Sequence, residues 1–169
     1  MLHFRKTVPG LNQTSLSRFA ARAARAAGLR GETGILITSS AEMKHMNRWF
    51  RHIDSATDVL SFPTPDLPDY AGDLAISADI AAANARRLKH SVADEVKVLI
   101  LHGILHLAGF DHESDEGEMA AREARLRKRL GLPPSLTERQ KKPREAKPVA
   151  RAKRPSRPRK AKIATGARS

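Results

Sequence analysis

Three histidines within eleven residues, His102, His106 and His112, are the side chains in this sequence whose spacing points most directly to chemistry. His102 and His106 stand four apart in the otherwise apolar run Val98-Leu-Ile-Leu-His102-Gly-Ile-Leu-His106-Leu. On a helix that spacing puts both imidazoles on one face, about one turn apart. A helix that is apolar nearly all round is a buried one, and burying two imidazoles without partners is costly. Gly109 can end such a helix in a left-handed conformation. The chain then turns back, and His112 can meet the first two. Three neutral imidazoles around one point make a zinc site with room for a water, and zinc lowers the pKa of that water to roughly 7. The chain has no cysteine, so thiol catalysis, iron–sulfur clusters and thiolate zinc sites are excluded, and a metal must be held by His or carboxylate. The plainer reading is two core histidines and a third beside a helix end.

The spacing of His102, His106, Gly109 and His112 is also that of the metzincin peptidases. Those enzymes carry a glutamate directly after the first histidine as general base. Here that position is Gly103, which has no side chain to move a proton. Arg51 falls at the end of a helical stretch, where a guanidinium beside a metal could clamp a phosphate or simply favour the helix C-terminus. Asp58 and Asp111 are carboxylates on candidate loops, and Asp111 could either orient a histidine or cap the helix that follows. Asp73 and Glu95 read as solvated acids within possible reach of the site. Trp49 and Phe50 could stack on bases, although their spacing with Met43 and Met46 expects at least one of them in the core.

These residues need elements to hold them. Leu2–Thr7 suggests a short edge strand. Leu16, Phe19, Ala20, Ala23 and Ala27 recur at helical spacing after a cap at Asn12 or Thr14, and Gly28 closes the helix. Gly34–Thr38 reads as a strand, and Ser39 with Glu42 as a capping box opening a helix through Phe50. Thr57–Phe62 is β-prone, residues 63–71 form a loop with three prolines, and Asp73–Ser77 alternates like a half-buried strand. Ser77 and Ser91 can each cap a helix, the second running from about Val92 to Ala108. A last helix carries Asp115, Glu116 and Glu118 at its start and Arg125, Arg127, Lys128 and Arg129 at its end, which suits its dipole. Three or four strands in mixed order with helices give an α+β domain, a small mixed sheet covered by helices, with the histidine helix buried.

The 169 residues carry a formal charge of +13, unevenly placed. Residues 139–169 hold thirteen Lys or Arg and one acid, whereas residues 1–138 hold eighteen basic and seventeen acidic residues. The expected organisation is a domain over 1–135 and a disordered basic tail over 136–169, rich in Pro, Lys and Arg, that contacts RNA without reading its sequence. No run approaches the roughly 20 apolar residues of a membrane span, and no secretory signal opens the chain, so the expected compartment is the cytoplasm.

Four segments together resemble one family. They are Asn47-Arg-Trp-Phe-Arg51, Thr57-Asp-Val-Leu-Ser-Phe-Pro63, Gly72-Asp-Leu-Ala-Ile-Ser77 and His102-Gly-Ile-Leu-His106-Leu-Ala-Gly109-Phe-Asp-His112. In order and spacing, over about residues 30–125, they are similar to the YbeY endoribonucleases, the rRNA maturation factors. The resemblance implies a small mixed sheet with about five helices. It implies a single-strand-specific, zinc-dependent endoribonuclease acting in maturation of the 3′ end of 16S rRNA and in ribosome quality control. It implies one zinc per chain, held by His102, His106 and His112, with Arg51 in the metal cleft and the ribosomal small subunit as partner. The basic tail departs from the family pattern, as does Ser55-Ala56 where a proline commonly precedes the threonine. Two other functions compete: a metallopeptidase, opposed by Gly103, and a non-catalytic ribosome-assembly factor with a structural zinc.

Overall fold

The fold was determined as a computed structural model, which describes residues 1–111 and 115–133. The basic tail and His112 therefore lie outside the described residues. In chain order the elements are β1 (Leu2–Phe4), α1 (Gln13–Ala27), β2 (Glu32–Thr38), α2 (Ser40–Arg51), β3 (Val59–Pro63), β4 (Tyr70–Ser77), α3 (Ala78–Leu88), α4 (Val92–Leu107) and α5 (Glu118–Leu130). The sheet order is β1-β2-β4-β3. β1, β2 and β4 run parallel, and β3 pairs antiparallel to β4 as an edge strand. The α+β reading, with a small mixed sheet and five helices, is what the chain forms.

Local chemistry accounts for most helix ends. Asn12, Ser39, Ser77 and Ser91 each accept a hydrogen bond from a backbone N–H of the first turn, satisfying donors that a helix start leaves open. The capping box at Ser39 forms by half. Ser39 accepts from the Glu42 N–H, but the Glu42 carboxylate turns to Thr38 and Arg5 instead of back to Ser39. At α5 no cap side chain stands next to the helix. Asp115 accepts from the N–H groups of Gly117 and Met119, both at 2.8 Å. Asp115 thus takes the capping role at α5.

Two cores flank the sheet. On one face Ile35, Ile37, Leu74 and Ile76 pack with α1, α4 and α5, where Leu16, Phe19, Leu99, Ile104 and Met119 are buried. On the other face Met43 of α2 closes over Leu60 and Ala75. β4 is therefore covered on both sides and is buried from Leu74 to Ser77, which corrects the half-buried reading of that strand. α4 is buried nearly all round, as its composition requires. Each fully buried Leu or Ile contributes about 1.5–3 kcal/mol, so α4 is the rigid centre on which any site it carries is built. Among the described residues no helix is long and apolar enough to cross a membrane.

Candidate metal and phosphate cleft

The cleft lies where α4 passes the β3 edge of the sheet. It encloses about 690 Å³ and is lined by His102 and His106 of α4, Arg51 and Phe50 from the end of α2, Asp58, the β3 residues Val59–Pro63 and the turn Gly109–Asp111. Three of the four segments that the sequence analysis drew from separate stretches thus meet at one place, and the fourth, Gly72–Ser77, lies in β4 and pairs with β3. Gly109 ends the histidine helix with φ of 87°, the left-handed conformation that redirects the chain past the cleft.

The two imidazoles are turned toward each other. Their Nε2 atoms stand 3.1 Å apart and the ring planes cross at 76°. On its far side, His102 Nδ1 lies 3.0 Å from the Glu123 carboxylate. A carboxylate there accepts a hydrogen bond from Nδ1–H, so the Nε2 that faces the cleft carries a lone pair. Two nitrogens bound at 2.0–2.1 Å to one tetrahedral zinc would stand about 3.3 Å apart. The observed pair fits that demand with little rearrangement. Among the described residues no group of three His, Cys, Asp or Glu gathers as a metal cluster, and the third expected ligand, His112, lies outside them.

Glu123 and Arg127 were not visible as site residues in the sequence. Both are buried, and the Arg127 guanidinium lies 2.7 Å from the Glu123 carboxylate. Burial pushes the Glu123 carboxyl up, but the hydrogen bond from His102 and the charge of Arg127 outweigh it and hold the group below the ordinary range. A usable signal did exist. Met119, Glu123 and Leu126 follow at helical spacing, and an acid inside an apolar stripe needs a buried partner.

Other sites differ from expectation. Trp49 and Phe50 are 79% and 59% exposed, so neither is core; Asn47 shares the inner face of α2 with Met43 instead. Phe50 packs edge-on against Phe62 with centroids 4.9 Å apart, at the cleft wall. Glu95 is fully buried and lies 2.7 Å from His90, away from the cleft, rather than being solvated. Asp73 accepts from the Tyr70 hydroxyl and does not line the cleft. Asp58 lines it while accepting from its neighbour's N–H at Val59. Arg51 is exposed and has no carboxylate partner among the described residues, whereas Lys44 and Arg48 on the same helix both approach Asp54. A Cβ on Gly103 would meet Leu74 at 2.6 Å. The position that holds the peptidase base in metzincins therefore points into the sheet.

The family model for Endoribonuclease YbeY matches residues 6–131. The chain belongs to the YbeY endoribonuclease family. It is 52% identical over 154 residues to Endoribonuclease YbeY of Koribacter versatilis, covering 91% of this chain and 99% of that protein. It is 46% identical over 138 residues to that of Solibacter usitatus, covering 80% and 91%. The solution structure of a Thermotoga maritima protein matches with a TM-score of 0.55 and 25% identity over 89% of this chain and all of that one. The YbeY match begins at Lys6 and ends at Gly131, so it spans both walls of the cleft and α5 with Glu123.

Proposed function

We propose that this YbeY family member is a zinc-dependent endoribonuclease that cuts single-stranded RNA in the α4–β3 cleft. Its proposed place is in maturing the 3′ end of 16S rRNA and in ribosome quality control, in the cytoplasm, with the small subunit as partner. The observation that carries the reading is the pair of Nε2 atoms 3.1 Å apart in an open cleft also lined by Arg51, which has no carboxylate partner among the described residues. His102 and His106 would hold zinc together with His112. When bound, zinc supplies Lewis acidity toward a phosphoryl oxygen and lowers the pKa of a coordinated water.

The rest of the chemistry belongs to the chain. Glu123 fixes the tautomer of His102 and, with Arg127, its orientation. Arg51 offers a planar fork to two phosphate oxygens and stabilises charge as it builds up on them. Phe50 and Phe62 line the cleft as an aromatic pair, with the Gly109–Asp111 turn also in its lining, and aromatic rings of this kind can stack on the bases of an unpaired strand. A purely structural zinc would need a closed shell of protein ligands; two histidines facing an open cleft favour the catalytic reading over an assembly factor. The test is metal analysis of purified protein together with cleavage of an unstructured RNA by wild type and His102→Ala. One zinc per chain and cleavage lost with His102 are expected. A His102→Ala protein that still cuts at the wild-type rate overturns the reading.

A further inference from the structure

The near-neutral balance of residues 1–138 conceals a division that only the fold produces. α1 and α5 are far apart in sequence but touch in the structure. Together they contain eight Lys or Arg and two acids, and one of the two, Glu123, is buried against His102. The remainder of residues 1–138 then holds ten basic and fifteen acidic residues. Where the helices meet, Arg22 and Arg25 of α1 and Arg129 of α5 line a groove of about 270 Å³ with Ala26 and Leu130. All three arginines are exposed, and none has a hydrogen-bond or carboxylate partner among the described residues. Elsewhere on the surface Arg5, Lys6, Lys44, Arg48 and Lys97 each stand beside an acid.

Three guanidiniums converging without an acid repel one another, and a polyanion relieves that repulsion. Guanidinium forks also match phosphate oxygens in geometry. Arg122 links the helix that carries the groove to the cleft wall. Arg122 of α5 donates to the Ala27 carbonyl at 3.1 Å and lies over the Phe110 ring at 5.1 Å, and Phe110 lines the cleft. From Arg122 to Arg129 the helix advances about 10 Å. Along α5, Arg122 thus stands at the Phe110 end, beside the cleft, and Arg129 at the groove, about two turns on. We infer that the α1/α5 groove binds backbone phosphates of the single-stranded RNA that flanks the segment held in the cleft. This rests on the proposed RNA-cutting role of the cleft, and it names where the rest of the strand goes.

The test uses the full chain, with unstructured RNAs of about 30 and about six nucleotides, the shorter one enough for the cleft alone. Arg22→Glu/Arg129→Glu should weaken binding of the longer RNA at least about tenfold and lower the log–log salt slope by about 1.4, for two lost phosphate contacts at about 0.7 each. Cleavage of the short RNA at saturation should stay at the wild-type rate. Phenylglyoxal modification of the wild type, read by mass spectrometry, should fall at Arg22, Arg25 and Arg129 when the longer RNA is bound and stay unchanged at Arg86. Unchanged affinity and slope in the variant, or equal arginine modification with and without RNA, overturns the inference even if the short RNA is cut. Groove-dependent binding by a protein that cuts neither RNA supports the groove and removes the nuclease reading of the cleft.

Discussion

Glu123 accepts a hydrogen bond from the Nδ1–H of His102 at 3.0 Å and faces Arg127 at 2.7 Å, so one buried carboxylate serves an imidazole and a guanidinium together. Glu123→Gln keeps an oxygen for His102 but removes the counter-charge of Arg127. Breaking a buried pair in this way costs about 3–5 kcal/mol, and loss of an orienting carboxylate weakens metal binding about 10- to 100-fold. A thermal melt and a zinc titration of Glu123→Gln check both effects; a variant with wild-type melting temperature and zinc affinity would show that Glu123 does neither job. Arg51 behaves differently because it is exposed and holds no acid among the described residues. Arg51→Ala should leave zinc content unchanged and stability within about 0.5 kcal/mol. RNA cleavage should fall about 10- to 100-fold, the worth of a charge-assisted clamp of about 1.5–3 kcal/mol. His102, His106 and Arg51 could be singled out because few side chains can do such chemistry and their spacing is local, and the structure brings these three to one cleft. Glu123 was hidden because its partner is twenty-one residues away and on a different helix.

The elements were legible wherever a local rule sets them. Serine caps, the terminal Gly28 and Gly131, and the apolar run of α4 all act within a few residues, and the structure follows them. What failed depended on partners. The alternation of β4 could not reveal that α2 covers its second face, and the inner face of α2 went to Met43 and Asn47 because Leu60 and Ala75 receive it there. Gly103 shows how strongly packing governs the histidine helix. Its Cβ position is occupied by Leu74, itself buried in the middle of β4. Gly103→Glu, which completes the peptidase motif on paper, should therefore lose more than about 3 kcal/mol of stability by overpacking and by burying a charge. A melt and a casein assay decide it: a folded variant with peptidase activity would mean that residue 103 reaches the cleft. The start of α2 is also tied by charge. The Asp79 carboxyl is held below its ordinary 3.8 by the hydrogen bond from Lys6 and then by the Ser40 N–H. Glu42 is held below its ordinary 4.5 by Thr38, against burial, and then by Arg5. Depressed carboxyls contribute stability that is fully present above the ordinary values and is lost as pH falls through the folded-state values. Melting temperature should thus decline from about pH 4.5 downward, and Asp79→Asn should flatten that decline.

At the scale of the whole molecule, charge is sorted by contact rather than by sequence order. The balance of eighteen basic and seventeen acidic residues over 1–138 gives no hint of the arginine groove, because α1 and α5 meet only when α4 holds them. The net +12 of residues 139–169, by contrast, is plain in the sequence and lies outside the described residues. All the side chains assigned to the cleft precede Gly131, so truncation after Glu138 should keep zinc content, melting temperature and cleavage of a short saturating RNA. Affinity for a longer RNA should fall. If six tail charges meet single-stranded phosphates, the log–log salt slope should drop by about four, at about 0.7 per contact. The tail and the groove then become separable. Independent contacts add in free energy, whereas contacts competing for the same phosphates do not. Placing Arg22→Glu/Arg129→Glu in the truncated chain should remove about a further 1.4 from the slope, as it does in the full chain. A smaller loss in the full chain than in the truncated one would mean that the tail takes over the groove's phosphates. Equal losses would mean that the strand is held at two places, by fixed arginines next to the cleft and by the tail farther along.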